Sequence, residues 1–222
     1  MKFLKRMVET PKSTPNVVTL LELGVLPIET AIRSRQLNYL HSILTREDRD
    51  PVKRTYKELK KFTAQQDWAK EIEETRVRFG ISLRDEEIEG MAQGEWKSLV
   101  KRQLKVTALN ELLQKRQKKG SSIEYGKLMT RNYFDKLPTQ DAKLYFKLRA
   151  EVYDLKAFRE YKYDDTLCRL CSKETENLEH IINDCPEVPR ASSEINVCTE
   201  DIEDIKTIIG RVRFFEDMIN LS

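Results

Sequence analysis

Four side chains with the chemistry of metal ligands fall within eighteen residues: Cys168, Cys171, His180 and Cys185, spaced C-x2-C-x8-H-x4-C. Two cysteines separated by two residues let one tight turn offer both sulfurs to a single ion. Zinc takes thiolate and imidazole in a closed tetrahedron when its role is structural. The set therefore reads as a structural Zn2+ site with these four residues as ligands. The chain holds two histidines and four cysteines, so finding four ligands in so short a stretch argues against a chance grouping. A closed set leaves no position for substrate or water, which points to folding stability rather than catalysis. Cys198 is left over and reads as a small apolar residue or free thiol. His41, between Leu40 and Ile43, reads as a hydrogen-bonded structural histidine.

The second ligand pair needs a short helix to carry it. Thr175 is placed to cap that helix, and Glu176 and Glu179 suit its positive end. Leu178, Ile181 and Ile182 give it an apolar side. Five residues separate His180 from Cys185, about 140° on an ideal α-helix, so both cannot leave one helical face. Pro186 pushes Cys185 out of the α region, so Cys185 is expected just past the helix end, bending back to the metal. On this reading Cys171→Ser unfolds residues 166–186 and spares the helices upstream.

The remaining sequence is written for helices. Charged residues are 35% of the 222, and Gly and Pro number seven each. Long straight side chains lose little rotamer freedom in a helix. Ile28, Ile32, Leu37, Leu40, Ile43 and Leu44 recur near a helical period after Pro27. Pro51 suits the first turn of a helix carrying Val52, Tyr56, Leu59 and Phe62. Asp67 precedes a helix from Trp68 to Phe79, and Gly80 is its stop. Ser82 with Asp85 resembles a capping box for a short helix through Met91. A long helix is expected over 95–118, another over 140–156, and a last one capped by Thr199. The fold class that follows is mainly α: a multi-helix domain followed by a small Cys-Cys-His-Cys zinc knuckle and a C-terminal helix, with at most a small hairpin at the cysteines. The expected segments are an extended lead-in at 1–26, a helical linker domain at 27–160, the knuckle at 161–190, and an acidic segment and helix at 191–222.

Charge is unevenly spread although the net is only +3. Residues 97–119 hold eight Lys or Arg against one Glu: Lys97, Lys101, Arg102, Lys105, Lys115, Arg116, Lys118 and Lys119. Residues 171–204 hold ten acidic residues against two basic ones. The first stretch can attract phosphates and the second repels them. Further on, aromatics and cations interleave: Tyr125, Lys127, Arg131, Tyr133, Phe134, Lys143, Tyr145, Lys147 and Arg149. Such a pattern can grip a strand by counterion release and stacking. It is equally what solvated helix faces and core aromatics look like. The segment MKFLKRMVETPKSTPN lacks the apolar core of a signal peptide, and no apolar run approaches the ~18–20 residues needed to span a bilayer. No membrane role is expected. The chain reads as soluble and intracellular, with thiols rather than disulfides.

The stretch CRLCSKETENLEHIINDCP resembles the cysteine-histidine motif that follows the reverse transcriptase domain in non-LTR (LINE-like) retrotransposon polyproteins. PKSTPN, then LLELGVLPIETAIRSRQLNYLHSIL, then DW and GEWKSLVK resemble the region between thumb and knuckle, in the same order. The likeness spans roughly residues 5 to 188. It implies a non-catalytic accessory segment that helps grip RNA or DNA beside the polymerase domain of a longer polyprotein, acting in the nucleus if it works with that machinery. The alternative is a protein-interaction or structural module of the same ancestry. Polymerase and nuclease motifs of the family are absent from this sequence. Asp164 and Asp165 follow Tyr163, but Lys162 stands where a Tyr-x-Asp-Asp signature needs its aromatic, so the pair reads as a solvated loop. Ser172 replaces the glycine that often follows the second knuckle cysteine.

Overall fold

The computed structural model describes residues 1–61, 68–117, 131–190 and 193–221. In chain order its α-helices are α1 (Lys2–Met7), α2 (Asn16–Glu22), α3 (Ile28–Leu44), α4 (Pro51–Leu59), α5 (Trp68–Arg78), α6 (Asp85–Glu89), α7 (Gln93–Gln117), α8 (Tyr133–Lys136), α9 (Thr139–Arg149) and α10 (Ile202–Leu221). Single 3-10 turns lie at Lys156–Phe158 and Glu160–Lys162, and a π turn at His180–Asp184. Among the described residues the only β pairing is one antiparallel bridge, Leu167 to Thr175. The fold is mainly α, with the Cys-Cys-His-Cys cluster at 168–185 and a C-terminal helix after it. No helix among the described residues is long and apolar enough to cross a membrane.

The chain forms two compact units: an inserted unit, Leu26–Lys118, and a terminal unit made from Met1–Val25 together with Lys119–Ser222. This division cuts across the four sequence segments. Residues 1–25 share a unit with the cysteine cluster and α10, and the 27–160 stretch is shared between the two units.

The inserted unit is built on long amphipathic helices. Leu37, Leu40, Ile43 and Leu44 of α3 are buried, while Ile28 and Ile32 are 77% and 50% exposed, so the apolar face begins about two and a half turns later than the periodicity suggests. Asp50 caps α4 by accepting from the Val52 N–H at 2.8 Å, with Pro51 in the first turn. Phe62 and Asp67 lie outside the described residues. Gly80 ends α5 with φ +66°, a conformation glycine adopts without a Cβ penalty. The cap of α6 sits two residues later than Ser82: the Glu87 carboxylate accepts from the Arg84 N–H at 2.7 Å. Along α7, Trp96, Val100, Leu104, Ala108, Leu112 and Arg116 are buried at every fourth position. His41 holds the structural role expected of it. Its Nε2 is 3.0 Å from the Met91 carbonyl, and its ring stacks on Trp96, whose Nε1–H donates to the Leu37 carbonyl at 3.2 Å.

The terminal unit uses shorter pieces around one core. The lead-in is not extended: α1 and α2 fall within it, and Val18, Leu20 and Leu21 are buried. That core joins Val18 to Tyr145, Phe146 and Leu148 of α9, to Ile181, Ile182 and Cys185 of the ligand region, and to Ile205, Ile208, Val212 and Phe215 of α10. Burying each such large side chain fully contributes about 1.5–3 kcal/mol. Helix α9 stops at Arg149 rather than near Lys156 because Glu151 takes φ +55°. The Glu151 and Val152 N–H groups then turn back to the Leu148 and Lys147 carbonyls, closing the helix end. Helix α10 is capped by Asp201, which accepts from the Glu203 and Asp204 N–H groups; Thr199 stands one step earlier, accepting from the Asp201 N–H.

Candidate metal centre

The two cysteines of the C-x2-C pair sit on a hairpin-like turn. The Cys168 N–H donates to the Glu174 carbonyl and the Glu176 N–H to the Thr166 carbonyl, both at 2.7 Å. Ser172 closes the turn with φ +53°, the left-handed region where glycine costs least. A fully buried carboxylate fastens this turn from behind. Glu176 accepts from the Lys156 N–H at 3.1 Å and the Arg169 N–H at 2.9 Å, and it pairs with the Arg169 guanidinium at 2.6 Å. Arg169, between the two cysteines, also lies over the Tyr163 and Phe215 rings at 5.5 and 5.6 Å.

The other pair comes from the turn at 178–184. Its first N–H groups are met by Asn177, not Thr175: the Asn177 Oδ1 accepts from the His180 N–H at 2.8 Å. The five-residue spacing is resolved by winding. The turn is π, and the Cys185 N–H donates to the His180 carbonyl at 2.7 Å, an i to i+5 bond. An extra residue per turn returns Cys185 toward the side of His180, which an α-helix would not do. Cys185 is itself extended, with φ −64° and ψ 118°, as Pro186 requires.

The four ligand atoms lie within 4.8 Å of one another. Cys168 Sγ and Cys185 Sγ are 3.9 Å apart, and Cys171 Sγ is 3.3 Å from His180 Nε2. A tetrahedral ion with metal–sulfur bonds of about 2.3 Å and metal–nitrogen bonds of about 2.0–2.1 Å needs edges of about 3.8 and 3.6 Å. The residues can therefore hold a metal ion with little movement. His180 presents Nε2 to the set while its Nδ1 lies 3.3 Å from Glu174 Oε2, an orienting partner of the kind metal-bound imidazoles use. Burial pushes the Cys185 thiol up to about 12 and raises that of Cys168 as well. At Cys171 burial also acts upward, but the Lys173 N–H, the Cys168 thiol and His180 outweigh it and bring the group down to about 7. A bound divalent cation supplies the positive charge that the two buried thiols need in order to ionise. Cys198 is half-buried and stands outside this ligand group.

The basic residues are placed less uniformly than their sequence suggests. Lys97, Lys101, Arg102, Lys105 and Lys115 are exposed on α7. Arg116 is not a surface cation: at 5% exposure it continues the buried stripe of Leu104, Ala108 and Leu112. Lys118 and Lys119, like Tyr125 and Lys127, lie outside the described residues. The interleaved stretch after them is largely interior. Arg131, Tyr133, Tyr145 and Arg149 are buried. The Tyr145 hydroxyl donates to the Thr199 carbonyl at 2.7 Å, and Lys143 pairs with Glu9 at 2.6 Å. Asp164 and Asp165 are exposed in a loop, with Asp165 taking Lys156 at 2.6 Å and the Leu167 N–H at 2.8 Å. The orienting roles of Glu174 and Arg169 carry no spacing signal, and Glu176, expected at the positive end of the ligand helix, instead fastens the cysteine turn from a buried position. Their signal was their position inside the ligand span, where exposed acidic residues look the same as buried ones.

No protein-family model, characterised protein or solved structure matches this chain.

Proposed function

We propose that this chain is a non-catalytic, nucleic-acid-binding accessory segment of LINE-like retroelement origin, with Zn2+ as the structural ion of Cys168, Cys171, His180 and Cys185. Three thiolates and one imidazole in a closed tetrahedron suit zinc. The likeness of successive stretches, in order, to the region behind a retroelement polymerase supports the ancestry. The observation that carries the binding role is on α7. Lys97, Lys101 and Lys105 are exposed at four-residue intervals, a rise of about 6 Å per step, and Arg102 is exposed beside them. None of these four forms an ion pair among the described residues. Elsewhere in the inserted unit Arg33, Lys53, Arg76 and Arg78 are committed to carboxylates. A row of uncommitted cations keeps its full charge for phosphates, whose counterions it displaces. The cluster itself is flanked by the exposed carboxylates of Glu174, Glu179 and Asp184, so its work is to hold the terminal unit together rather than to touch a strand.

The test is binding of the zinc-loaded protein to single-stranded RNA and duplex DNA across a salt series. The expected result is a steep fall in affinity with salt. The triple variant Lys97→Ala, Lys101→Ala and Lys105→Ala should lower the log–log slope by about 2–3, since each phosphate contact adds about 0.7–0.9. Absence of binding at low salt would overturn the reading and leave a protein-interaction or structural module.

A further inference from the structure

Three buried arginines of this protein face a carboxylate. Arg76 reaches Asp85 and Glu73, Arg149 reaches Glu22, and Arg131 reaches Glu200. Arg211, on α10 of the terminal unit, does not. It is 7% exposed, and its Nη2 is closed off from solvent without a hydrogen-bond partner. No ion pair or hydrogen bond of its guanidinium exists among the described residues. Its helix neighbours Ile208, Val212 and Phe215 are all buried, so it stands on the apolar side of α10. Burial alone acts on the group, drawing its pKa down, with no facing charge to restore it.

An arginine cannot escape such a place by giving up its proton, as a lysine can. A buried charge without a counter-charge is the exception in folded proteins, and the missing partner is commonly an ion. The guanidinium fork matches an oxyanion in two parallel hydrogen bonds, and low surrounding polarity strengthens that pairing. Its residual exposure places the group just beneath the surface, within reach of an anion from outside.

We propose that Arg211 is an oxyanion-binding residue that receives a phosphate group, free or carried on a nucleic-acid strand, as the counter-charge it lacks among the described residues. The site is on a different unit from the α7 row and shares none of its residues, so either can stand without the other.

The experiment is thermal unfolding of the full, metal-loaded chain in chloride and in phosphate at matched ionic strength. Saturating phosphate should raise the Tm of the terminal unit by about 2–4 °C. Arg211→Met should unfold in chloride at or above the wild-type temperature, because it removes an uncompensated buried charge, and should lose the phosphate shift. Arg211→Lys keeps the charge without the fork and should show less than half the shift. A short oligothymidylate, supplied at the same concentration of phosphate groups, separates the sources. An Arg211-dependent rise with it assigns the site to a strand, and a rise confined to inorganic phosphate assigns it to a free anion. No shift in the wild type, or a shift undiminished in both variants, would overturn the proposal.

Discussion

Along α7 of the inserted unit the buried residues repeat at every fourth position, and two buried cations of that unit, Lys53 and Arg76, reach out to exposed carboxylates, Arg76 also meeting the more buried Asp85. Lys53 and Arg76 are nearly sealed, yet their partners Glu89, Asp48 and Glu73 are between 45% and 78% exposed. In the terminal unit Arg131 and Lys143 likewise face the exposed Glu200 and Glu9, but two carboxylates go inside with their partners. Glu22 is fully buried, with the Arg149 Nε–H donating at 2.8 Å and the Tyr133 hydroxyl at 2.7 Å, and Glu176 is fully buried against Arg169. Outward pairs are screened by water and add little, so the inserted unit depends on apolar burial. Inward pairs punish the loss of either member, so the terminal unit depends on particular polar partners and on its ligand set.

The largest effect that would break this contrast is loss of a ligand. Where the sequence alone predicts that loss of a ligand cysteine spares the upstream helices, the shared core predicts more: Cys168→Ser should abolish stoichiometric metal binding and unfold α2, α9 and α10 along with residues 166–186. Structural zinc is worth about 10–16 kcal/mol of apparent binding energy in zinc-finger peptides. The inserted unit should stay helical. Hydrogen exchange resolved by segment, together with zinc content, reads both units at once; protection retained in α10 would show that the ligand region can fail alone. The isosteric change Glu22→Gln strands Arg149 inside the terminal unit and should cost about 3–5 kcal/mol in urea unfolding. Leu104→Ala opens a cavity in the inserted unit and should cost about 2–5 kcal/mol while leaving metal binding by the four-residue cluster unchanged. If Leu104→Ala weakened metal binding, the two units would not be independent in stability. The smallest effect sharpens the geometry of the ligand turn. Ser172→Gly relieves a left-handed serine, worth about 1–2 kcal/mol, against an entropy cost of about 0.5–1 kcal/mol. A net gain below ~1 kcal/mol in metal-loaded stability, read from the urea midpoint, is expected.

The long helices of the inserted unit were legible because their period is repeated over many residues and their ends carry Pro51, Gly80 and an acidic cap. The ligand set was legible because metal chemistry is restricted to few residue types at short spacing. What escaped was decided by contacts distant in sequence or by unusual backbone. The lead-in is helical and buried among partners remote in sequence, such as Arg149, which meets Glu22 across 127 residues. A left-handed Glu151 ends α9 with no glycine to announce it. Arg116 sits among lysines in sequence, but the four-residue stripe from Trp96 carries it inward. The angular conflict between His180 and Cys185 and the exit of Cys185 ahead of Pro186 were legible in the sequence, but the π winding of the turn has no residue signature.

Because the terminal unit is assembled from stretches on either side of the inserted unit, its completion is a matter of timing on the ribosome. Val18 emerges well before the residues it packs with in α9, the ligand region and α10. At about 5–20 residues per second, α2 waits on the order of 10 s or more for its partners, an interval in which the whole inserted unit is synthesised and free to fold. The apolar Val18, Leu20 and Leu21 are thus without those partners throughout that interval, a window in which a chaperone or a neighbouring nascent chain competes for them.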